Sequence, residues 1–359
     1  MTERDNKIGL CLCGGGLTGA MYEVGCLAAI EDEFEDLRCS ELDAIVGASS
    51  GSVVAVGLAG GYSAQRLYRA LLDPADDLFP IQRQHLLRFD SMEFRRVVSS
   101  LVGAARRAVT SAALRPLDLD LWSELDRLYD SLPAGLFTMD SFERFMESVL
   151  RRRGIDRELS NHDRLMLIAN DLDAGERVIF GQGHESNVTL ERAVAASCAA
   201  PMLFAPVRIG ERDYISGGLG AMGHVDVAAD AGCKLVVVVN AMVPVATDID
   251  ERHIPTGHGP MRRVRDKGFL WVYSQAWRVA SQARMRQGLA GFRAAHPDVD
   301  VVVVEPSPID AGVFMSSPMN FAGRRAILEA GYRSTVEYLR SHRSELRLAF
   351  ERHGFIAKS

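Results

Sequence analysis

Short apolar runs alternate with stretches of helical periodicity along this chain, and the alternation predicts an α/β fold. Positions 8–13 are continuously apolar, as in a central parallel strand buried on both faces, and apolar side chains at helical spacing follow through positions 21–30. Positions 44–46 and 53–58 repeat this order, so the beginning of the chain reads strand, turn, helix, strand, turn, helix. Later strands are predicted at 165–169, 178–180, 235–239 and 301–304, and later helices at 190–198, 226–231 and 322–339.

Residues 63–135 differ from the rest, because they show helical periodicity without a strand pattern and are basic in the middle. They predict a helical cap inserted into the α/β core. Between Phe94 and Ala112 the apolar side chains fall on one helical face, and a group of arginines falls away from it. Two interpretations stay open: a cap helix that packs on the core, or a basic amphipathic helix that meets anionic lipid or gates a pocket.

The remaining pattern fits one domain rather than two. Residues 136–150 predict the return from the cap to the core through a helix, and residues 246–267, rich in Asp, Pro and Gly, predict an irregular connection. The inward face of the return helix carries Phe142, Phe145, Met146 and Val149. We therefore predict a single three-layer α/β/α domain over residues 8–345, with a central mainly parallel sheet and a cap at about 63–135, followed by a C-terminal tail at 346–359.

Charge, cysteine usage and the length of the apolar runs limit the partners, the location and the cofactors that the sequence predicts. The 359 residues carry a formal net charge of −6, which argues against nucleic-acid binding because phosphate neutralisation needs a basic face. The six cysteines lack metal-ligand spacing and predict reduced, buried thiols in a cytoplasmic protein. The first apolar run is too short for a signal peptide, and no stretch approaches the ~20 apolar residues of a membrane span, so any membrane contact should be peripheral. No His/Asp/Glu cluster has ligand spacing, and we expect neither a metal nor an organic cofactor.

The strongest local signal for chemistry is the segment Gly47-Ala48-Ser49-Ser50-Gly51, between a predicted strand and a predicted helix. A nucleophile elbow needs this arrangement, because its tight turn tolerates only small flanking residues and presents the serine at the head of a helix. The helix N-terminus favours the negative charge that develops there. Ser49 is therefore the candidate nucleophile, and Gly47 and Gly51 make room for the turn.

A glycine-rich turn, Gly14-Gly15-Gly16-Leu17-Thr18-Gly19, follows the first strand. Consecutive glycines leave backbone N–H groups unobstructed, so this turn can hold an oxyanion. A GxGxxG pattern at this place is also typical of dinucleotide-binding folds. Dinucleotide-binding folds carry an acidic residue at the end of the second strand. Here Asp43 lies at the beginning of that strand and Gly47 lies at its end. The GxSxG segment also favours the oxyanion interpretation, since dinucleotide binding predicts nothing there.

The glycine-rich turn, the elbow about 30 residues later and the lack of a triad histidine in the usual order together resemble the patatin-like phospholipases. Residues 172–176 and 193–201 resemble the strand–turn–strand and the helix that lead to that family's active site. The resemblance covers residues 8–62 and 136–240, and 260–340 more loosely. It implies a Ser–Asp dyad, in which a serine attacks an acyl ester and an aspartate in an Asp-Gly-Gly or Asp-Gly-Ala turn accepts its proton.

One position departs from the family pattern. Ser49 matches the nucleophile, and the oxyanion hole maps onto Gly14, Gly15 and Gly16. The turn that should carry the aspartate reads Tyr214-Ile215-Ser216-Gly217-Gly218, so Ser216 occupies the position of the base. A neutral hydroxyl cannot accept the nucleophile's proton near pH 7 and can only orient it by a hydrogen bond. Disabling one member of such a unit lowers the rate by about 10⁴–10⁶-fold.

Three nearby side chains are candidates to replace the missing base. Asp213 precedes Ser216 by three residues, and the alternation of a strand should point it to the opposite face. Asp226 begins the following predicted helix, where an aspartate usually caps the helix. His224 is the remaining candidate, because a histidine within reach of Ser49 would restore a Ser–His pair.

Three functions remain open at this stage. The first is an acyl-ester hydrolase acting on lipid or a related ester, with activity strongly impaired at Ser216. The alternative is a catalytically silent patatin fold that binds lipid for regulation. The third, from another class, is a nucleotide-binding α/β protein. An intact elbow and an intact glycine-rich turn favour retained chemistry.

Overall fold

The computed structural model describes residues 7–86, 88, 95, 98–99, 102–103, 132–181, 183–219, 222–246, 254–256, 259–261, 263–307, 310–315, 321–341 and 343–358. Its strands include every one that the apolar runs predicted, together with others that the sequence pattern did not predict. They are β1 (Lys7–Leu12), β2 (Ala44–Ala48), β3 (Gly135–Phe137), β4 (Leu165–Asp171), β5 (Glu176–Gly181), β6 (Met202–Phe204), β7 (Val207–Ile209), β8 (Arg212–Ser216), β9 (Cys233–Val239), β10 (Ile254–Thr256), β11 (Gly259–Met261) and β12 (Asp300–Val304).

The helices fill the intervals between these strands. They are α1 (Gly16–Glu33), α2 (Gly51–Ala59), α3 (Ala64–Leu72), α4 (Arg83–Leu86), α5 (Asp140–Arg153), α6 (Leu190–Cys198), α7 (Val225–Asp230), α8 (Phe269–Ala295), α9 (Phe321–Ser341) and α10 (Arg343–Arg352).

An eight-stranded sheet forms the centre, in the order β12-β9-β1-β2-β4-β8-β7, with β5 also paired to β4. The strands from β12 to β4 are parallel, whereas β5, β8 and β7 join antiparallel at one side. The prediction of a mixed α/β fold with a central mainly parallel sheet is therefore confirmed. Parallel strands end at a common edge, and this edge carries the residues that follow β1 and β2.

The two faces of the sheet are buried under separate helices. Alternate side chains of β1 divide between them: Leu10 and Leu12 belong to one apolar cluster, with α1, α2, α5, α6 and α9, and Cys11 belongs to the other, with α7 and α8. Helices on both faces produce three layers, as is usual for a parallel sheet. Continuous apolarity in β1, the feature that predicted it, follows from this double burial.

Helices α1 and α9 cross in very close contact. A Cβ on Gly25 would lie 2.3 Å from the Leu328 carbonyl oxygen, and a Cβ on Gly331 would lie 2.4 Å from that of Tyr22. The contact excludes any larger residue at either glycine. It fixes α1, and with it the glycine-rich turn at its N-terminus.

The cap region is described only in part. Helices α3 and α4 lie within it, but the amphipathic segment 94–112 falls almost entirely outside the described residues, so both of its interpretations stay predictions. The return helix α5 is present, and its predicted inward face is confirmed, because Phe142, Phe145, Met146 and Val149 are all buried.

Three regions of the C-terminal part contain more structure than the sequence pattern predicted. Within residues 246–267 the described part forms the hairpin of β10 and β11. Helix α8, the longest of the described part, was not predicted, because polar Arg278 and Gln282 interrupt its buried stripe. The predicted tail includes the end of α10, and Phe350 stacks on Phe34 with ring centroids 4.3 Å apart.

Within the described ranges, no helix combines the length and apolarity needed to cross a bilayer. The same part of the chain contains no group of three or more His, Cys, Asp or Glu side chains placed to hold a metal ion.

Candidate active site

Ser49 lies on the turn between β2 and α2, at the carboxyl edge of the sheet. Its φ of 53° is left-handed, which is a strained conformation for a residue other than glycine. A Cβ on Gly47 would lie 2.7 Å from the Ser52 Cα, and one on Gly51 would lie 2.6 Å from the Leu12 carbonyl oxygen. Only glycine fits on either side of the turn. A strained serine on a tight turn between a strand and a helix is the geometry of a nucleophile elbow.

Hydrogen bonds from α6 and α2 hold this strained turn. The Ser49 N–H donates to the Ser197 Oγ at 2.9 Å, and that hydroxyl donates to the Ile168 carbonyl in the middle of β4 at 2.6 Å. The Ser49 carbonyl accepts from the Ser52 hydroxyl at 2.5 Å and from the Cys198 thiol at 3.1 Å. Sequence reasoning missed Ser197 and Cys198 as supporting residues, although the segment 193–201 contributed to the family resemblance.

The glycine-rich turn lies beside the elbow. Gly14, Gly15 and Gly16 have φ values of 75°, 121° and 71°, so all three need the conformational freedom of glycine. A Cβ on Gly19 would lie 2.4 Å from the Gly14 carbonyl oxygen, which explains why the motif closes with a fourth glycine. Gly15 and Gly16 line a cavity together with Ser49. These two glycines of the predicted oxyanion hole therefore lie beside the candidate nucleophile.

The Gly14 amide has a different partner. It donates to Glu23 Oε1 at 2.6 Å, so this N–H is already occupied by a buried carboxyl group on α1. Glu23 is fully buried, and no described residue forms a hydrogen bond with its Oε2. Burial raises the pKa of Glu23 to about 8, an effect that the Gly14 hydrogen bond partly offsets. Sequence reasoning missed Glu23, because nothing distinguishes it from other glutamates on a helix.

Ser216 ends β8, which aligns it with Ala169 of β4. Its side chain is buried, and its Oγ accepts a hydrogen bond from the Gly218 N–H at 3.3 Å. A Cβ on Gly218 would lie 3.2 Å from the Ser49 Cβ and 3.5 Å from the Ser216 Oγ. The two serines therefore converge on Gly218, and both line one cavity. The structure brings together the candidate nucleophile and the position at which the family resemblance places the base.

Gly217 provides a stability test of this turn. A Cβ at residue 217 would lie 2.0 Å from the Ile168 carbonyl oxygen, a contact with backbone that cannot be relieved by a rotamer change. We expect Gly217→Ala to lower the free energy of unfolding by about 3 kcal/mol or more, measured by urea denaturation. The control is Gly291→Ala on α8, where a Cβ meets nothing within 4 Å and the change should stabilise by about 0.5–1 kcal/mol. Equal effects at the two sites would contradict the crowding at Gly217.

The candidate replacement bases lie elsewhere. Asp213 pairs with Arg208 at 2.8 Å, and Asp226 pairs with Arg177 at 2.6 Å. His224 is buried, and its Nδ1 has no partner within the described ranges; burial lowers the pKa of His224 to about 4. None of the three is among the described residues that line the cavities at Ser49. Those lining residues include no carboxylate and no imidazole.

Two cavities meet at Ser49. The first has a volume of about 330 Å³ and extends away from the sheet edge towards α5; the second, of about 220 Å³, lies on the Ser216 side. Gly16, Ser49, Ala200 and Leu203 line both. The first cavity is almost entirely apolar, which suits a hydrocarbon chain. Its walls include Leu17, Met21, Val53, Phe142, Met146 and Leu150.

A serine on a strained strand-to-helix turn, beside a glycine-rich loop and an apolar cavity, is the arrangement typical of serine hydrolases. The patatin-like phospholipase family profile matches residues 10–229, and the chain belongs to that family.

Three known proteins are similar to this chain. The cGAMP-activated phospholipase of Escherichia coli (strain TW11681) is 26% identical over 210 residues, which cover 55% of this chain and 47% of that protein. The match thus spans about half the length of that relative. VipD from Legionella pneumophila, a solved structure, is 15% identical with a TM-score of 0.38, over 95% of this chain and 67% of its own. The type III effector protein ExoU is 12% identical with a TM-score of 0.38, over 94% and 53%.

Proposed function

We propose that this protein is an acyl-ester hydrolase of lipids whose turnover is strongly limited at Ser216. The observation that carries the proposal is the position of Ser49, on a strained elbow where an apolar cavity of about 330 Å³ meets the glycine-rich turn. Membership of the patatin-like phospholipases supports a lipid substrate. The acyl chain would occupy the apolar cavity and present its ester carbonyl to Ser49, with the lipid reached by peripheral contact.

The chemistry follows from the placement of the groups. The Ser49 Oγ attacks the ester carbonyl, and the negative charge that develops on the carbonyl oxygen is held by the amides of Gly15 and Gly16 and by the N-terminus of α2. The hydroxyl proton must leave as the new bond forms. Ser216 occupies the place of its acceptor, but a neutral hydroxyl has too little basicity for this step. On this proposal, the site binds the ester and stabilises the oxyanion but lacks an efficient base.

One observation favours the second candidate, a lipid-binding protein without turnover. Among the described residues that line the cavities at Ser49, none is an aspartate, a glutamate or a histidine. On this alternative, the apolar cavity would bind acyl chains, and Ser49 would have no chemical role.

Hydrolysis of chromogenic acyl esters separates the two candidates. The protein should turn over a matched series of esters faster than its Ser49→Ala variant, although slowly. KM should fall about fourfold per added CH₂ until the apolar cavity is filled, because each buried CH₂ contributes about 0.8 kcal/mol. If turnover by the protein exceeds that of Ser49→Ala, His224→Asn is the next variant to measure. If neither the protein nor its Ser216→Asp variant exceeds Ser49→Ala, the hydrolase proposal is wrong and lipid binding stands.

A further inference from the structure

The second cavity at Ser49 has a buried arginine in its wall. Arg278 projects from α8, is only 4% exposed and lines the same cavity as Ser49 and Ser216. Its Nη1 donates to the carbonyl oxygens of Ala241 at 2.9 Å and Val243 at 3.0 Å. Its Nε is buried and has no hydrogen-bond partner among the described residues. Part of this guanidinium group anchors the chain after β9, and part of it lacks an acceptor.

The charge of Arg278 is not neutralised by any described carboxylate. Glu305, the acidic residue of the neighbouring polar network, accepts hydrogen bonds from Asn240 and Gln282, both at 3.1 Å. Burial lowers the pKa of Arg278 to about 10, so the group is still positively charged at neutral pH. A buried cation without a counter-ion is costly to the fold, so a bound anion would stabilise this site.

Trp277 adds a second unpartnered donor to this cavity wall. Its indole Nε1 is buried and finds no hydrogen-bond partner in the described part of the chain, and Trp277 lines the same cavity. Two adjacent residues of α8 thus present N–H groups that lack an acceptor. Ser274, one turn earlier on the helix, also lines the cavity. Donors without acceptors predict a ligand that is rich in acceptor oxygens.

We propose that this cavity binds the phosphate group of a phospholipid, with Arg278 as its cation. The proposal rests on the proposed function, because it takes the acyl chain to lie in the first cavity and the ester to lie at Ser49. A phospholipid carries its phosphate a few bonds from its acyl esters, and the two cavities meet at Ser49 in the same relation. The planar guanidinium fork suits phosphate oxygens. A neutral glyceride in the same place would leave Arg278 without an anion, so Arg278 is a specificity-determining residue.

The test compares two monomeric lipids that differ only in the phosphate. Ser49→Ala protein, which cannot turn over either ligand, is titrated with a monoacylglycerol phosphate and with the monoacylglycerol of the same chain. We expect the phosphate-bearing lipid to bind about 10- to 100-fold more tightly, as for one charge-assisted contact. Arg278→Met should remove this preference without weakening the neutral lipid. Arg284→Met, which removes an exposed arginine from the same helix, should preserve it.

Two further measurements keep the result interpretable. Arg278→Lys keeps a cation that can reach the Ala241 carbonyl. Its thermal unfolding, compared with that of Arg278→Met, tests whether a lost phosphate preference in Arg278→Met reflects misfolding. The lysine variant should retain part of the preference for the phosphate-bearing lipid. Inorganic phosphate and glycerol 3-phosphate are titrated as well. If either binds as tightly as the phosphate-bearing lipid, the site serves free phosphate and the lipid assignment is overturned. An unchanged preference in folded Arg278→Met would also overturn it.

Failure of this inference can be distinguished from failure of the proposed function. Hydrolysis of a neutral chromogenic ester by Ser216→Asp tests the function alone, because that ester carries no phosphate. Turnover of this ester together with equal binding of the two lipids overturns the phosphate site and keeps the hydrolase. A phosphate preference that depends on Arg278, without turnover of the neutral ester, supports the phosphate site and leaves a lipid-binding protein.

Discussion

Ser216→Asp should raise turnover of an acyl ester by at least about 10³-fold over the unmodified protein. The expectation follows from the magnitudes for serine hydrolases, in which removal of one member of the catalytic unit costs about 10⁴–10⁶-fold. Ser216 and Ser49 converge on Gly218, and the Gly218 N–H that donates to the Ser216 Oγ at 3.3 Å would donate to a carboxylate there. An aspartate would extend one bond further towards Ser49 and could accept its proton.

Matched variants separate the base from other effects of the substitution. Ser216→Asn places a side chain with the size and shape of aspartate at this position, but asparagine cannot accept the proton. The rate of this variant should therefore remain near that of the unmodified protein. Ser49→Ala combined with Ser216→Asp should abolish the gain. The rate of Ser216→Asp should rise through the pH range in which a carboxyl group ionises, and that of Ser216→Asn should not. Equal rates for the Asp and Asn variants would show that Ser216 does not occupy the position of a base.

The central sheet could be predicted from the sequence because double burial leaves a strong local signal. Strand β1 and strand β9 are buried on both faces, so each appears as an uninterrupted apolar run. The elbow was predictable for a similar reason, since the crowding at Gly47 and Gly51 excludes every residue with a side chain and leaves a visible motif. Steric constraints of this kind act between residues close together in the chain, so they can be recognised from a short sequence motif.

The supporting residues of the site could not be predicted, because their roles depend on contacts distant along the chain. Ser197 meets the Ser49 amide across 148 positions, and Arg278 reaches the Ala241 carbonyl across 37. Helix α8 was missed because Arg278 and Gln282 occupy its buried stripe, and polar residues there conceal the helical period. The two polar residues that hid the helix belong to the wall and the network beside the second cavity.

Glu23→Gln should make the protein more stable than the unmodified form, by a margin that grows as the pH rises. Burial raises the pKa of Glu23 from 4.5 to about 8. Below pH 4.5 the carboxyl group is protonated in both the folded and the unfolded chain, so ionisation costs no stability. Between pH 4.5 and 8 the unfolded chain releases the proton while the folded chain keeps it, and the free energy of unfolding falls with pH. Above pH 8 the loss is complete, at about 5 kcal/mol at most.

Glutamine removes this titration but keeps the shape of the side chain. Urea denaturation of both proteins between pH 4.5 and 8.5 should therefore give curves that separate with rising pH, with Glu23→Gln higher at the alkaline end. Glu31→Gln is the matched control on the same helix. The Glu31 carboxylate accepts backbone N–H groups of Cys39, Ala64 and Gln65 on its two oxygens. An amide NH₂ would face one of these donors, so Glu31→Gln should destabilise the protein.

Glu23 has two effects: its raised pKa lowers the stability of the fold, and its carboxyl group holds the glycine-rich turn. The two effects can be measured separately. A glutamine oxygen can still accept the Gly14 N–H that now donates to Glu23 Oε1 at 2.6 Å. In the Ser216→Asp background, Glu23→Gln should therefore keep ester turnover while it gains stability, whereas Glu23→Leu, which offers no acceptor, should lose turnover. Parallel stability curves for Glu23→Gln and the unmodified protein would mean that Glu23 ionises normally in the fold. Equal turnover in Glu23→Leu would mean that the Gly14 hydrogen bond does not position the amides of Gly15 and Gly16.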